Sequence, residues 1–240
     1  MINTFRVENH DVYMARMQQF IDEVCVYPVT CDSLTHGRGD REWLDQVLSG
    51  GAKIVQLRDK ESKDNLFLEK ANYFRTKTRE AGALFLVNDR LDIALLSDAD
   101  GIHVGQGDLP PSELRKLAPD MIIGHSCNTK EQVLALADEV NTGTSCVSYY
   151  NVGPIYQTAT KEGLHNFLGS KAIAEYTSAC SLPFTVMGGI KFAHIDELLG
   201  AGVRRIAVVT AISQAADMAA ETEKWQKKIR EKRNRMDGVD

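Results

Sequence analysis

Long apolar runs are missing from this sequence. No stretch approaches the ~18 to 20 residues that a helix needs to cross a bilayer, and near the N-terminus Arg6, Glu8, His10, Asp11 and Arg16 interrupt every apolar segment, so neither a membrane span nor a secretory leader is expected. An excess of basic charge is missing too. Against 33 Asp and Glu stand 28 Lys and Arg, a formal charge of -5, which gives no support to a nucleic-acid partner. The locally basic stretch 224–235 reads as the solvated face of a last helix. The five cysteines (25, 31, 127, 146 and 180) are odd in number and widely spaced, with no CxxC, which argues against a disulfide framework or a zinc site and suits reduced thiols in a cytoplasmic protein. His103, His125 and His194 lack HxxxH or HxH spacing and read as satisfied core or surface histidines. With no GxSxG and no Cys-His pairing, covalent nucleophilic catalysis has no candidate.

What the sequence does contain is an alternation. Short apolar, strand-like runs are expected at 24–30, 54–57, 84–87, 101–104, 121–123, 146–152, 184–187 and 205–209. Between and after them fall helix-like stretches. Asp40 is placed to cap a helix carrying Trp43, Leu44, Val47 and Leu48 at helical spacing, which Gly50-Gly51 ends. Others are expected at 63–81, closed by Gly82, at 91–97, after Pro111, and at 130–140, 170–179, 193–199 and 214–232. Eight such units without a Pro/Ser-rich linker predict an α/β fold, a single (β/α)8 TIM barrel over residues 24–235; an open doubly wound sheet is the alternative for the same alternation. Residues 1–23 lie outside the cycle. Val12, Met17, Phe20, Ile21 and Val24 could line one face of a helix there, giving an extra N-terminal helical segment packed under the barrel or against a second subunit, so a homo-oligomer stays among the expectations.

Polar clusters follow the strands. In the run Gln56-Leu-Arg58-Asp-Lys60, strand alternation throws Gln56, Arg58 and Lys60 to one side, the barrel interior near its C-terminal rim. A guanidinium and an ammonium in a partly dry mouth call for an anion; the plainer alternative is an internal salt bridge to Asp59, Asp89 or Glu61. Asn88-Asp89 and Asp108 fall just past neighbouring strands, where the two carboxylates could share one Mg²⁺ whose octahedron is completed by water and phosphate oxygens. Taken singly, Asp89 is a helix cap and Asp108 a turn residue. Thr158, Thr160 and Lys161 suit a phosphate or carboxylate, Gly188-Gly189 lets backbone N–H groups approach an anion, and Val209-Thr210-Ala211 lies beside that turn.

In this order the motifs resemble those of the thiamine phosphate synthase family. They are Tyr27-Pro-Val-Thr30, Gln56-Leu-Arg-Asp-Lys60, Val87-Asn-Asp89, the run from Ala99 to Asp108, Ile123-Gly-His-Ser126, the run from Val152 to Lys161, Gly188-Gly-Ile190 and Val208-Val-Thr-Ala-Ile212. The resemblance implies a transferase that joins 4-amino-2-methyl-5-hydroxymethylpyrimidine diphosphate to a thiazole phosphate and releases pyrophosphate, with Mg²⁺ as cofactor. It implies that Gln56 and Asn88 hold the pyrimidine. Arg58, Lys60, Ser126 and Lys161 would hold the diphosphate, and Asp89 and Asp108 the metal. The thiazole and its phosphate fall to Thr158, Thr160, Gly189, Val209 and Thr210. The partners implied are these small molecules, with no nucleic acid and no membrane. The chain departs from the family pattern at His125, Cys127 and Asn128 and in the loop after Lys161. Two rivals share the barrel: a thiazole tautomerase-like isomerase, which need not keep the diphosphate and magnesium residues, and a non-catalytic sensor of a phosphate metabolite.

Overall fold

Alternation of apolar and polar residues in the short strands, and 3.6-residue periodicity between them, resolve among the described residues into eight parallel strands and ten α-helices. The structure, a computed structural model, describes residues 10–158 and 167–238. The strands are β1 (Val26–Pro28), β2 (Ile54–Leu57), β3 (Leu84–Asn88), β4 (Gly101–Val104), β5 (Ile122–Cys127), β6 (Tyr149–Val152), β7 (Phe184–Val186) and β8 (Ile206–Val208). The helices are α1 (His10–Asp22), α2 (Gly39–Ser49), α3 (Asp64–Ala81), α4 (Leu91–Leu96), α5 (Pro111–Leu117), α6 (Lys130–Asn141), α7 (Gly169–Thr177), α8 (Ile195–Gly200), α9 (Thr210–Ser213) and α10 (Met218–Asp237). The sheet order is β1-β8-β7-β6-β5-β4-β3-β2. A parallel bridge between Val29 and Gln56, with the Thr30 N–H donating to Gln56 O at 2.9 Å, brings its ends together into a (β/α)8 barrel.

The period of two sorts the side chains. Val55, Leu57, Phe85, Val87, Ile102, Val104 and Ile123 face the helices, while Tyr27, Val29, Ile54, Leu84, Leu86, Ile122, Tyr149 and Ala207 fill the interior. Helix α1 joins that interior cluster through Tyr13, Met17 and Phe20, one stripe at i, i+4, i+7, and so plugs the N-terminal end of the barrel. The stripe differs from the expected one: Val12 is exposed, and Tyr13 turns inward because its ring buries while its hydroxyl donates to Ser148 Oγ at 3.1 Å. At the other end of α1, Arg205 donates to Phe20 O (2.8 Å) and Ile21 O (2.7 Å), satisfying carbonyls that a helix terminus leaves open. Phe20 is fully buried, its ring 4.7 Å from that of Tyr149. Phe20→Ala should therefore cost about 3 kcal/mol of stability, read as a lower urea midpoint at unchanged m.

Three further expectations change. Asp40 does not cap α2: Arg38 is the cap residue, Asp40 lies in the first turn, and its carboxylate is drawn instead to Lys70 of α3, 2.8 Å away. Strand β5 runs four residues beyond the expected end, because Gly124, His125, Ser126 and Cys127 pair with Tyr149, Tyr150, Asn151 and Val152. The last helix is shifted: α10 starts only behind Asp217, whose Oδ1 accepts from Ala220 N at 2.8 Å, and runs to Asp237, while a short α9 at Thr210–Ser213 precedes it.

Candidate functional site

Inward-facing positions at the C-terminal ends of the strands are polar where those below them are apolar, and they surround a cavity of about 180 Å³. Such a mouth is where βα loops can bring groups from several strands onto one ligand. Of the residues expected at the site, Gln56, Arg58, Asn88, Ser126, Thr158, Gly189, Val209 and Thr210 line it. Lys60, Asp89 and Asp108 do not line the cavity. Thr160 and Lys161 lie outside the described residues. The walls also include Tyr27, His103, Asn128, Asn151, Thr185 and Met187, none of which was expected.

The loop after β2 is held from behind. Arg58 N donates to Thr30 Oγ1 (2.9 Å), which in turn donates to Arg58 O (3.3 Å). Asp59 turns away from the mouth. Its Oδ1 accepts from the backbone N–H groups of Glu61 (3.0 Å) and Ser62 (2.8 Å), and its Oδ2 lies 2.7 Å from Lys70 Nζ. Burial would lift the Asp59 carboxyl, but the hydrogen bonds from Lys70 and Ser62 and from the two backbone N–H groups more than reverse that and hold it well below the usual carboxylate range. The carboxylate between the two rim cations is thus taken up elsewhere. Among the described residues Arg58 has no carboxylate partner; its Nη1 meets only Cys31 Sγ, at 4.0 Å. For Lys60 the plainer expectation holds, since its ammonium forms an ion pair with Asp89.

Asp89 adopts a left-handed backbone, φ 62°, uncommon for a residue with a side chain and tolerated by Asp. Burial first, and then the adjoining Asp108 carboxyl, raise the Asp89 carboxyl above its ordinary value in spite of Lys60. Asp108 is anchored through Oδ2, which accepts from Gly105 N at 2.8 Å. Gln106 ties this loop to β5, its Nε2 donating to Ser126 O (2.7 Å) and His125 Nε2 (3.1 Å). Among the described residues no group of three or more His, Cys, Asp or Glu side chains could hold a metal ion. A pair of carboxyls close enough to perturb each other, offset among the described residues by one exposed lysine, nevertheless fits Mg²⁺, which takes one or two carboxylates and completes its shell with water and phosphate oxygens.

Across the mouth, Gly188 and Gly189 have φ of 104° and 63°. A Cβ on Gly189 would overlap Gln157 O and lie 2.7 Å from Tyr156 O, so only glycine lets the turn after β7 nest beneath the loop after β6. Tyr156 N donates to Gly188 O at 2.9 Å in the same contact.

Beneath the cavity runs a chain of side-chain hydrogen bonds. Gln56 Nε2 donates to Tyr27 Oη (2.8 Å), Tyr27 Oη meets Tyr149 Oη (3.1 Å), Tyr149 Oη meets His103 Nδ1 (2.8 Å), and His103 Nε2 meets Ser126 Oγ (2.9 Å). His103 is indeed a satisfied histidine, with both nitrogens engaged. Burial pushes its imidazole down to about 3, so it is neutral at physiological pH. The signal for these residues was present in the sequence, because strand alternation that turns Gln56 inward also turns His103, Ser126 and Tyr149 inward.

A family model described as thiamine monophosphate synthase matches residues 26–212. The chain is 39% identical over 199 residues to a thiamine-phosphate synthase from Pelotomaculum thermopropionicum, covering 82% of this chain and 88% of that one. To a thiamine-phosphate synthase from Laribacter hongkongensis it is 39% identical over 210 residues, covering 87% of this chain and 95% of the other. A solved structure of thiamine phosphate pyrophosphorylase from Pyrococcus furiosus superimposes with a TM-score of 0.78 at 30% identity, over 89% of this chain and 98% of that one. Among the described residues no helix is long and apolar enough to cross a membrane.

Proposed function

The chain belongs to the thiamine monophosphate synthase family, a family of enzymes, and on that premise we propose that it couples 4-amino-2-methyl-5-hydroxymethylpyrimidine diphosphate to thiazole phosphate, with release of pyrophosphate. The observation that carries this reading is Arg58. Its guanidinium lines the cavity with no carboxylate partner among the described residues, while the neighbouring Asp59 is turned onto Lys70. An unpaired, half-buried guanidinium at the mouth of a barrel is a site prepared for an anion.

The reaction we propose is dissociative. The C–O bond to the diphosphate breaks first, the amino-substituted pyrimidine carries the resulting cation on its methylene carbon, and the thiazole nitrogen attacks that carbon with its own lone pair. No general base is needed for the bond-forming step. The protein's task is then to stabilise the departing diphosphate and to hold the two rings in line. Arg58, Lys60 and Lys161 supply positive charge and Ser126 a hydroxyl. Gln56 and Asn88 hold the pyrimidine, and Thr158, Thr160, Gly189, Val209 and Thr210 hold the thiazole and its phosphate. Asp89 and Asp108 would hold Mg²⁺, which neutralises charge on the leaving diphosphate when bound. The small-molecule substrates are the only partners in this reading, and a cytoplasmic location accords with it.

One assay tests it. With both substrates and Mg²⁺, thiamine phosphate and pyrophosphate should form in equal amounts, EDTA should abolish both, and added Mg²⁺ should restore them. Isomerisation of a thiazole without coupling would move the chain to the tautomerase-like relatives. Binding of either phosphate compound without turnover would make it a sensor.

A further inference from the structure

Gln56 and Ser126 face the same cavity from β2 and β5, yet they are joined beneath it by three side chains from β1, β6 and β4. The family match begins at residue 26, and Phe20 of α1, whose ring packs tilted against that of Tyr149, lies outside it. Room for the junction is made by Gly124: a Cβ there would overlap Tyr149 Cζ and Oη and sit 2.5 Å from His103 Nδ1. The barrel has left an interior position empty so that a tyrosine hydroxyl and an imidazole can meet.

Each member of the chain has a fixed number of hydrogens, and counting them gives the chain a direction. Gln56 presents its amide nitrogen to Tyr27, so Tyr27 Oη accepts from Gln56 and its own hydrogen is free to go to Tyr149. Tyr149 then donates to His103 Nδ1. A neutral imidazole that accepts at Nδ1 carries its proton on Nε2 and donates to Ser126 Oγ. The Ser126 hydroxyl, already an acceptor, is left with its hydrogen for the cavity. If the Gln56 amide were turned over, every step would reverse: Tyr27 would donate to Gln56, His103 would carry its proton on Nδ1, and Ser126 would spend its hydrogen on His103.

We infer that Tyr27, Tyr149 and His103 are positioning residues forming a directed relay that presents Gln56 to the cavity as an acceptor and Ser126 as a donor. This rests on the proposed reaction for its purpose, since an acceptor suits the amino group of the pyrimidine and a donor suits an oxygen of the leaving diphosphate. Tyr149 is the pivot. Its hydroxyl is the one atom through which the two halves of the relay communicate, and its ring is held from below by Phe20.

The relay makes a prediction that needs no substrate. In the full-length protein labelled with ¹⁵N-histidine, long-range ¹H–¹⁵N spectra should show His103 as the neutral tautomer protonated on Nε2. Tyr149→Phe, which keeps the ring and deletes the hydroxyl, should shift His103 toward the Nδ1-protonated form. A wild-type His103 protonated on Nδ1, or a tautomer indifferent to Tyr149→Phe, would overturn the inference. A second measurement uses pyrophosphate with Mg²⁺ as the probe in titration calorimetry. Tyr149→Phe should weaken binding about tenfold in the wild-type background and leave it unchanged in Ser126→Ala, because the two residues act through one hydrogen. Equal losses in both backgrounds would refute the coupling. If the wild type does not bind pyrophosphate at all, the proposed reaction fails, while the spectra still decide the relay.

Discussion

Arg58→Ala should reduce turnover by ~10² or more, the scale of removing one charge contact from a transition state in which that charge develops. The effect should fall on kcat as well as on kcat/KM, because in the proposed reaction the guanidinium would meet the diphosphate most strongly when it carries its full leaving-group charge. The fold should be untouched. Among the described residues Arg58 pairs with no carboxylate, and the contacts that hold its loop are made by its backbone N–H and carbonyl with Thr30, which alanine retains. Circular dichroism and the thermal midpoint should match the wild type while coupling of the two substrates collapses, and inhibition by pyrophosphate should weaken in parallel. Turnover within about threefold of wild type would remove Arg58 from the mechanism and leave the diphosphate without its principal cation. Arg58→Lys should recover only part of the loss, since an ammonium cannot reproduce the planar fork of a guanidinium on phosphate oxygens.

The barrel was legible because its signals are local and repeated. Strands β2 and β4 coincide with the expected runs, since Ile54–Leu57 and Gly101–Val104 are bounded by residues that do not continue an extended apolar segment. The polar rim at Gln56 and Arg58 was legible for the same reason, from alternation within a single strand. What alternation does not carry is the partner across the barrel. Asp40 has the chemistry of a helix cap, and its actual partner, Lys70, lies thirty positions away on α3, a choice settled by burial and not by local propensity. Strand β5 was cut short because its second half, from Gly124 onward, is polar and glycine-containing. Those residues pair in the ladder as apolar ones would; Ser126 is polar and faces the cavity, while Cys127 packs into the outer core. The relay is written in no single strand: only registry between β4, β5 and β6 brings His103, Gly124 and Tyr149 side by side.

Lys70→Met should be the most destabilising single change near the site, and it should also disable the site without touching it. Lys70 Nζ lies 2.8 Å from Asp40 Oδ2 and 2.7 Å from Asp59 Oδ2, and the two carboxylate side chains are only 2% and 6% exposed. Removing the cation strands two largely buried carboxylates, a class of change that costs about 3 to 5 kcal/mol and, for a chain of this length, lowers the thermal midpoint by roughly 10 °C. The pH dependence identifies the cause. In the folded wild type the Asp59 carboxyl is held below its unfolded value, so its contribution to stability is present above pH ~4 and is lost as pH falls through the folded value. Asp40, raised by burial against the pull of Lys70, takes up its proton at a higher pH than Asp59. Once both are protonated the lysine has nothing left to neutralise. The midpoint gap between Lys70→Met and wild type should therefore be widest near neutrality and narrow as pH falls below about 4, where the Asp59 contribution begins to be lost; a gap independent of pH would mean that the lost methylene packing, not the lost charge, is responsible. The functional consequence has the same origin. Without Lys70, Asp59 is free to turn to Arg58 or Lys60, placing a carboxylate where the diphosphate should bind, so the variant assayed well below its midpoint should show a raised KM for the pyrimidine diphosphate. Lys70→Arg, which keeps the charge, should restore most of the stability and most of the affinity together.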